Sequence, residues 1–100
     1  MKYEVEFRKE AQLDILEAIS WYEERRKGLG DELFIAIENE KHFIELNPYH
    51  YEDKYKGIRK AITKRFPYII YYKIESESKV LVYAVLHMKR SPRLWKKRIK

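Results

Sequence analysis

The sequence has 100 residues, of which 45% are hydrophobic and 38% charged, and its formal net charge is +6. A chain of this length suits one domain, and its composition is that of a folded rather than a disordered chain. Because it contains no cysteine and its three histidines have no close metal-binding spacing, disulfides and zinc-type sites are excluded. We expect a single domain over residues 1–100 with no metal and no cofactor.

No apolar run approaches the roughly 20 residues of a membrane-spanning helix, and the opening MKYEVEFRKE lacks the apolar stretch of a signal peptide. We therefore expect a cytoplasmic protein with no membrane contact.

Charge is divided unevenly along the chain. Residues 1–53 contain 7 Lys/Arg and 14 Asp/Glu, whereas residues 54–100 contain 15 and 2. The basic second half predicts a partner rich in phosphates or in acidic side chains.

The first half of the chain predicts one strand and two helices. Residues 2–8 alternate apolar and polar side chains, as in a strand with one buried face. Apolar residues at helical spacing predict a helix over 11–26, and Gly28 suits the left-handed position that follows a helix. A second helix is predicted over 31–47, because Pro48 disfavours helical geometry at the residue before it. The two helices should form an antiparallel hairpin.

The second half predicts three further strands. The tyrosine-rich segment 48–57 is expected to be an ordered loop, followed by a strand at about 58–63. Residues 66–74 and 79–87 are apolar at nearly every position, as expected of central strands buried on both faces. A basic tail, 88–100, ends the pattern. The fold class is thus α+β: a helical hairpin packed on a small, mainly antiparallel sheet of about four strands, in the order β-α-α-β-β-β, with the first strand at an edge.

Several short motifs occur in order along almost the whole chain. They are A-x-x-D-I-x-x-A-x-x-W-Y over 11–22, G-L-G-D-E-L-F over 28–34, Asn47-Pro48, Tyr55-x-Gly57-x-Arg59, Arg65-Phe66-Pro67-Tyr68 with Tyr71-Tyr72, and Ala84-Val85-Leu86-His87 with Arg90, Pro92 and Trp95. With these motifs the sequence resembles the RelE/ParE superfamily of toxins from bacterial toxin–antitoxin pairs, and more closely its ParE-like plasmid-stabilisation branch.

The resemblance implies a growth-inhibiting toxin that a cognate antitoxin neutralises by wrapping an extended, partly acidic segment over it. RelE-like members are endoribonucleases that cut messenger RNA on the ribosome, whereas ParE-like members inhibit DNA gyrase and have no nuclease centre. We expect a gyrase inhibitor. The alternatives are a ribosome-dependent mRNA endoribonuclease and a non-toxic module that binds nucleic acid or protein.

The nuclease alternative requires a base, a proton donor and fixed cations around the scissile phosphate. His87 is the candidate base, with Arg90 beside it, and Arg59 and Arg65 could grip the phosphate. In RelE-like nucleases a catalytic arginine opens the motif that ends in the buried strand's tyrosine. Tyr68 occupies that position here, and this departure favours the ParE-like reading over a metal-independent endoribonuclease.

Aromatic rings interleaved with cations mark the predicted surface for the antitoxin or the target, because both protein hot spots and stacked bases use such groups. The residues predicted for this surface are Tyr55, Lys56, Arg59, Tyr68, Arg93 and Trp95. Trp21 lies off the apolar stripe of the first helix and is expected to be exposed. A homodimer through the helical hairpin is therefore a further possibility.

Overall fold

A computed structural model describes residues 2–99, which form one five-stranded sheet, two long helices and a short third helix. The elements are β1 (Glu4–Phe7), α1 (Lys9–Arg25), α2 (Leu29–Leu46), β2 (Asp53–Tyr55), β3 (Ile58–Ile62), β4 (Tyr68–Ile74), β5 (Lys79–His87) and α3 (Pro92–Lys96). No helix within residues 2–99 combines the length and the apolarity needed to cross a bilayer.

The strands lie in the order β1-β5-β4-β3-β2. β1 runs parallel to β5, and the remaining neighbours are antiparallel. The predicted α+β class, the helical hairpin and the edge position of the first strand are confirmed. β4 and β5 occupy central positions, as their continuous apolar sequences predict.

The sheet has five strands rather than the predicted four, because β2 forms inside the segment expected to be a loop. A two-residue turn, Lys56-Gly57, joins β2 to β3, with Tyr55 opposite Ile58. Both turn residues have positive φ, 48° and 86°, as a type I′ hairpin turn requires. β2 has only three residues, none of them fully buried, so its sequence carries no alternating pattern.

The basic tail contains α3, which the sequence analysis did not predict. Ser91 caps this helix, its hydroxyl accepting a hydrogen bond from the backbone N–H of Arg93 at 3.2 Å, and Pro92 begins the first turn. Trp95 is only 2% exposed and packs on the sheet. α3 therefore covers part of the sheet face that the long helices leave open.

Two apolar layers lie on opposite sides of the sheet. The layer beneath the long helices contains Ala11, Ala18, Leu33, Ile37, Ile44, Ala61, Phe66, Ile70, Tyr72, Val80, Val82 and Val85. The layer on the α3 side contains Ile58, Ile69, Tyr71, Tyr83, Ala84, Leu86 and Trp95. Side chains of β3, β4 and β5 thus enter both layers, which explains why β4 and β5 are apolar at nearly every position.

The helical hairpin closes tightly at the turn between α1 and α2. The carboxylate of Glu23 accepts hydrogen bonds from the backbone N–H groups of Gly28 and Gly30, each at 2.9 Å. These bonds lower the pKa of Glu23 below its ordinary value of 4.5. A Cβ at Gly30 would lie 2.8 Å from the carbonyl oxygen of Ile19, so only glycine permits this approach of the two helices.

A buried ion pair ties the C-terminal tail to α1. Arg98 donates to both carboxylate oxygens of Asp14, at 2.6 and 3.1 Å, and to the carbonyl oxygen of Tyr83 at 3.1 Å. Asp14 also accepts from the backbone N–H of Val85 at 3.0 Å. The hydrogen bond that Arg98 donates to Asp14 raises the pKa of Arg98. Helix α1, the edge of β5 and the tail therefore meet at one carboxylate.

Arg98→Met should lower the free energy of unfolding by about 3 kcal/mol, because it leaves the Asp14 carboxylate buried without its cation. Urea denaturation measures this loss. In the Arg98→Met background, Asp14→Asn should lower the free energy of unfolding by less than it does in the wild type. The reason is that the substitution then removes a carboxylate that has already lost its cation. A loss below 1 kcal/mol for Arg98→Met would show that the pair is dispensable.

Acid should weaken the helical hairpin through Glu23. Because its pKa is lowered in the folded state, the stabilisation from this carboxylate is fully present above pH 4.5 and disappears as the pH falls through the folded-state pKa. Glu23→Gln should therefore flatten the acid limb of stability measured by circular dichroism. Glu24→Gln is the matched control, since Glu24 is the next residue along α1 and caps no backbone group. Equal acid profiles for the two variants would contradict this role of Glu23.

Candidate interaction surfaces

Four lysines on the α3 side of the sheet form what we call the lysine face: Lys56, Lys60, Lys73 and Lys96. Lys60 lies opposite Tyr71, and Lys73 lies opposite Ile58, so both lysines share the side of the sheet on which those two residues are buried. The stem of Lys73 runs beside Gly57, where a Cβ would come within 3.1 Å of its Cε. Lys56 occupies the tip of the same hairpin.

Three aromatic rings lie beside three of the four ammonium groups. Tyr71 and Trp95 are stacked with centroids 4.8 Å apart, and Tyr55 meets Trp95 edge-on at 5.7 Å. Lys60 and Lys96 lie 5.3 and 5.6 Å from the Trp95 centroid. Lys96 and Lys56 lie 4.5 and 5.3 Å from the Tyr55 centroid. Cation–π contacts therefore gather three of the four cations, Lys56, Lys60 and Lys96, around one aromatic cluster.

A second surface is a groove of about 730 Å³ along the exposed side of α2, here called the α2 groove. Its helical wall is formed by Ile35, Ala36, Asn39 and Phe43, and its other lining residues are Glu32, Glu40, His50, Tyr51, Lys64 and Arg65. Ile35 is 57% exposed. Arg65 is paired with Glu32, whereas Lys64 has no carboxylate oxygen within 4.0 Å among residues 2–99. An apolar wall beside this cation is suited to an apolar segment that carries an acidic side chain.

The walls of the α2 groove are held by hydrogen bonds. Arg65, at a positive φ of 74°, donates to Glu32 at 2.7 Å and thereby joins the β3–β4 turn to α2. This hydrogen bond lowers the pKa of Glu32. Tyr51 donates to Glu40 at 2.8 Å, and burial, followed by this bond, raises the pKa of the Tyr51 hydroxyl. The groove is therefore preformed.

A third surface is a pocket of about 600 Å³ between α1 and the ends of β4 and β5. Its lining residues include Glu17, Trp21, Tyr68, His87 and Arg90. Burial raises the pKa of Tyr68, although the charge of Arg90 acts in the opposite direction. The phenol is thus protonated at neutral pH and can donate a hydrogen bond but cannot act as a base.

The tautomer of His87 limits what this pocket can catalyse. The backbone N–H of Lys89 lies 3.1 Å from Nδ1 of His87 and donates to it. Neutral imidazole then carries its proton on Nε2, and its one ring lone pair is already engaged. A general base requires a free lone pair aimed at the substrate hydroxyl. The geometry suits His87 to hydrogen-bond donation from Nε2.

The structure separates the four residues predicted for catalysis. His87 and Arg90 line the same pocket, facing Glu17 and Glu24 of α1. Arg65 lines the α2 groove and is paired with Glu32. Arg59 donates to the carbonyl oxygen of Tyr51 and lies 5.0 Å from the Tyr49 ring centroid. Only His87 and Arg90 are brought together.

The residues predicted for binding are also distributed. Tyr55, Lys56 and Trp95 meet at the lysine face, and Arg93 is an exposed residue of α3. Arg59 and Tyr68 lie on the helix side of the sheet, because Tyr72, opposite Arg59, is buried in that layer and Tyr68 packs against it. The sequence analysis missed Lys60, Lys73 and Lys96 of the lysine face, and it missed Ile35, Phe43 and Lys64 of the α2 groove. The spacing of two residues between Ile58, Lys60 and Ile62, which places all three on one face of β3, was the available signal for Lys60.

Within residues 2–99, no group of three or more His, Asp or Glu side chains is arranged to hold a metal ion.

Comparison with known proteins places the chain in a family. The model of the ParE toxin of the type II toxin–antitoxin system parDE matches residues 5–92. The fold is similar to that of a chain in the structure of the chromosomal ParDE toxin–antitoxin system from P. aeruginosa, with a TM-score of 0.75, 9% sequence identity, and coverage of 86% of this chain and 96% of that chain. None of the curated proteins compared with the sequence matches it. The family match extends from β1 to the first residue of α3, and on this match the chain belongs to the ParE toxin family of type II toxin–antitoxin systems.

Proposed function

We propose that this protein arrests growth by inhibiting DNA gyrase in the cytoplasm and that a cognate antitoxin neutralises it by laying a segment in the α2 groove. Membership of the ParE family supports the toxin role. The observation that carries the antitoxin site is the exposed apolar wall of α2, with Ile35 57% exposed and the cation of Lys64 beside it. Such a groove fits an amphipathic, partly acidic segment.

The edge of the sheet beside this groove offers a second means of attachment. β2 pairs only with Ile58 and Arg59, so Lys60 and Ile62 of β3 have no strand on their outer side within the described chain. Lys64 and Arg65 follow β3 directly and line the groove. An extended antitoxin segment could pair with this free edge and insert its apolar side chains against α2.

The geometry supports a binding toxin in preference to the nuclease alternative. RNA cleavage by 2′-hydroxyl attack needs a base and several cations around one phosphate. His87 has its lone pair engaged by Lys89, and the cations Arg59 and Arg65 lie outside the pocket that His87 lines. Inhibition of gyrase requires binding surfaces only, and the α2 groove and the lysine face are both available for contacts with other molecules.

Ile35→Asp should prevent neutralisation without abolishing toxicity. A carboxylate on the apolar wall would be buried under the antitoxin, so the affinity should fall tenfold or more. The measurement is growth during co-expression with the antitoxin encoded beside the toxin gene, together with calorimetry of the purified pair. Leu16→Asp is the control, since Leu16 is 63% exposed on α1 and does not line the groove. Normal protection of Ile35→Asp cells would place the antitoxin elsewhere.

The purified toxin should inhibit supercoiling of relaxed plasmid DNA by gyrase, and His87→Gln should inhibit as well as the wild type. Primer extension on messenger RNA from expressing cells should show no new 5′ ends. Gln retains a hydrogen-bond donor near the position of Nε2, so the pocket keeps its donor. Discrete RNA ends that vanish in His87→Gln cells, with unimpaired gyrase, would favour the ribosome-dependent endoribonuclease. No growth defect and neither activity would leave the non-toxic binding module.

A further inference from the structure

The charges of the lysine face have no acidic partners. Within residues 2–99, no Asp or Glu oxygen lies within 4.0 Å of the ammonium groups of Lys56, Lys60, Lys73 or Lys96. On the same side of the sheet, Lys79 is paired with Glu6 at 2.7 Å. The lysine face therefore presents a concentrated positive field to solvent.

Lys56 occupies a position that disfavours lysine. It is the first central residue of the β2–β3 turn and has a φ of 48°, where glycine, asparagine or aspartate is preferred. A left-handed conformation is unfavourable for a residue with a Cβ such as lysine. The turn thus holds a cation at its tip at the expense of stability, which is typical of a residue whose side chain binds something.

The lysine face lies outside the two concave surfaces described above. Neither the α2 groove nor the pocket beside α1 is lined by any of its four lysines. The rings beneath them are covered, Tyr71 being 3% and Trp95 2% exposed. These two rings are closed to an unpaired base, and neither of the two concave surfaces offers a socket within the lysine face for the anchoring side chain of a protein segment.

Double-helical nucleic acid needs neither a socket for an anchoring side chain nor an exposed aromatic ring. Its phosphates form a regular array of negative charge, and positively charged side chains bind that array without reading bases. We propose that the lysine face binds the phosphate backbone of duplex nucleic acid, independently of sequence. This activity goes beyond the proposed inhibition of gyrase, because the isolated toxin should show it without gyrase or antitoxin.

The full-length chain should bind a fluorescent DNA duplex of about 20 base pairs, and the affinity should fall with salt. Each phosphate contact contributes about −0.9 to the slope of log K against log[salt], so four contacts predict a slope of about −3.6. Lys56→Asn should reduce the magnitude of this slope by about one. Since asparagine suits the turn better than lysine does, lost binding would not reflect lost folding.

Further variants distinguish binding at the lysine face from a general effect of the protein's net charge. The pair Lys60→Gln and Lys96→Gln should reduce the slope by about two, and Lys60→Arg with Lys96→Arg should restore it. The matched control is Lys9→Gln with Lys27→Gln, because both lysines are exposed and belong to the helical layer. That control should bind like the wild type, and melting temperatures of all variants should confirm that they are folded.

Three competitors identify the ligand. An RNA duplex of equal length that binds comparably, or more weakly, supports backbone recognition. Single-stranded DNA that binds more tightly than the duplex would overturn it in favour of base stacking. Poly-glutamate that displaces the duplex at a lower charge concentration would instead assign the face to an acidic protein segment. Equal salt slopes for the Lys56→Asn variant and the wild type would also overturn the proposal.

Discussion

The Asp14–Arg98 pair is the contact on which both sides of the sheet depend. β1 pairs with β5 only as far as Val82, so the next stretch of the β5 edge has no neighbouring strand. There Asp14 accepts from the N–H of Val85, and Arg98 donates to the carbonyl oxygen of Tyr83. The two side chains thus take the place of further strand pairing. They also fix the tail, and through it α3, over the face opposite the long helices.

Once α3 is fixed, the two sides of the sheet acquire different chemistry. The helix side carries the α2 groove, which is concave and partly apolar. The α3 side carries the lysine face, where Trp95 fills the space beneath the cations. A segment bound in the α2 groove would leave the lysine face open unless it continued around the β2–β3 edge. If the antitoxin blocks both surfaces, its bound segment must be long enough to pass that edge and acidic where it ends.

The sequence predicted most of the fold because periodicity reports how many faces of an element are buried. The long helices and the two central strands have clear patterns, whereas β2 is too short for one, and the Ser91-Pro92 start of α3 was not recognised. The candidate sites were harder to predict. Arg59 and Lys60 are consecutive in a strand and so must point to opposite sides of the sheet, but in strands buried on both faces the alternation does not show which of the two faces the helices.

A β-bulge explains why His87 lies away from the lysine face. In the β4–β5 pairing, Tyr71 is opposite Ala84 and Tyr72 opposite Val82, so Tyr83 is an extra residue. Val82 lies in the layer beneath the helices, and strict alternation would place residues 84 and 86 there too. Ala84 and Leu86 instead pack on the α3 side. After the bulge, the side chains of β5 point to the opposite sides of the sheet from those that strict alternation would give them, and His87 therefore faces α1. The bulge arises from the pairing of β5 with β4 and is not visible in the sequence of β5.

The uneven distribution of charge along the chain places many acidic side chains on the helix side of the sheet and the lysine face on the α3 side. Three acidic side chains of the helices are engaged where they lie: Glu23 caps α2, Glu32 pairs with Arg26 and Arg65, and Glu45 pairs with Lys2. Because the buried sheet stands between the layers, these carboxylates cannot reach the cations on the α3 side. The positive field of the lysine face is therefore a consequence of topology, since the same charges on a single-layered fold would find partners.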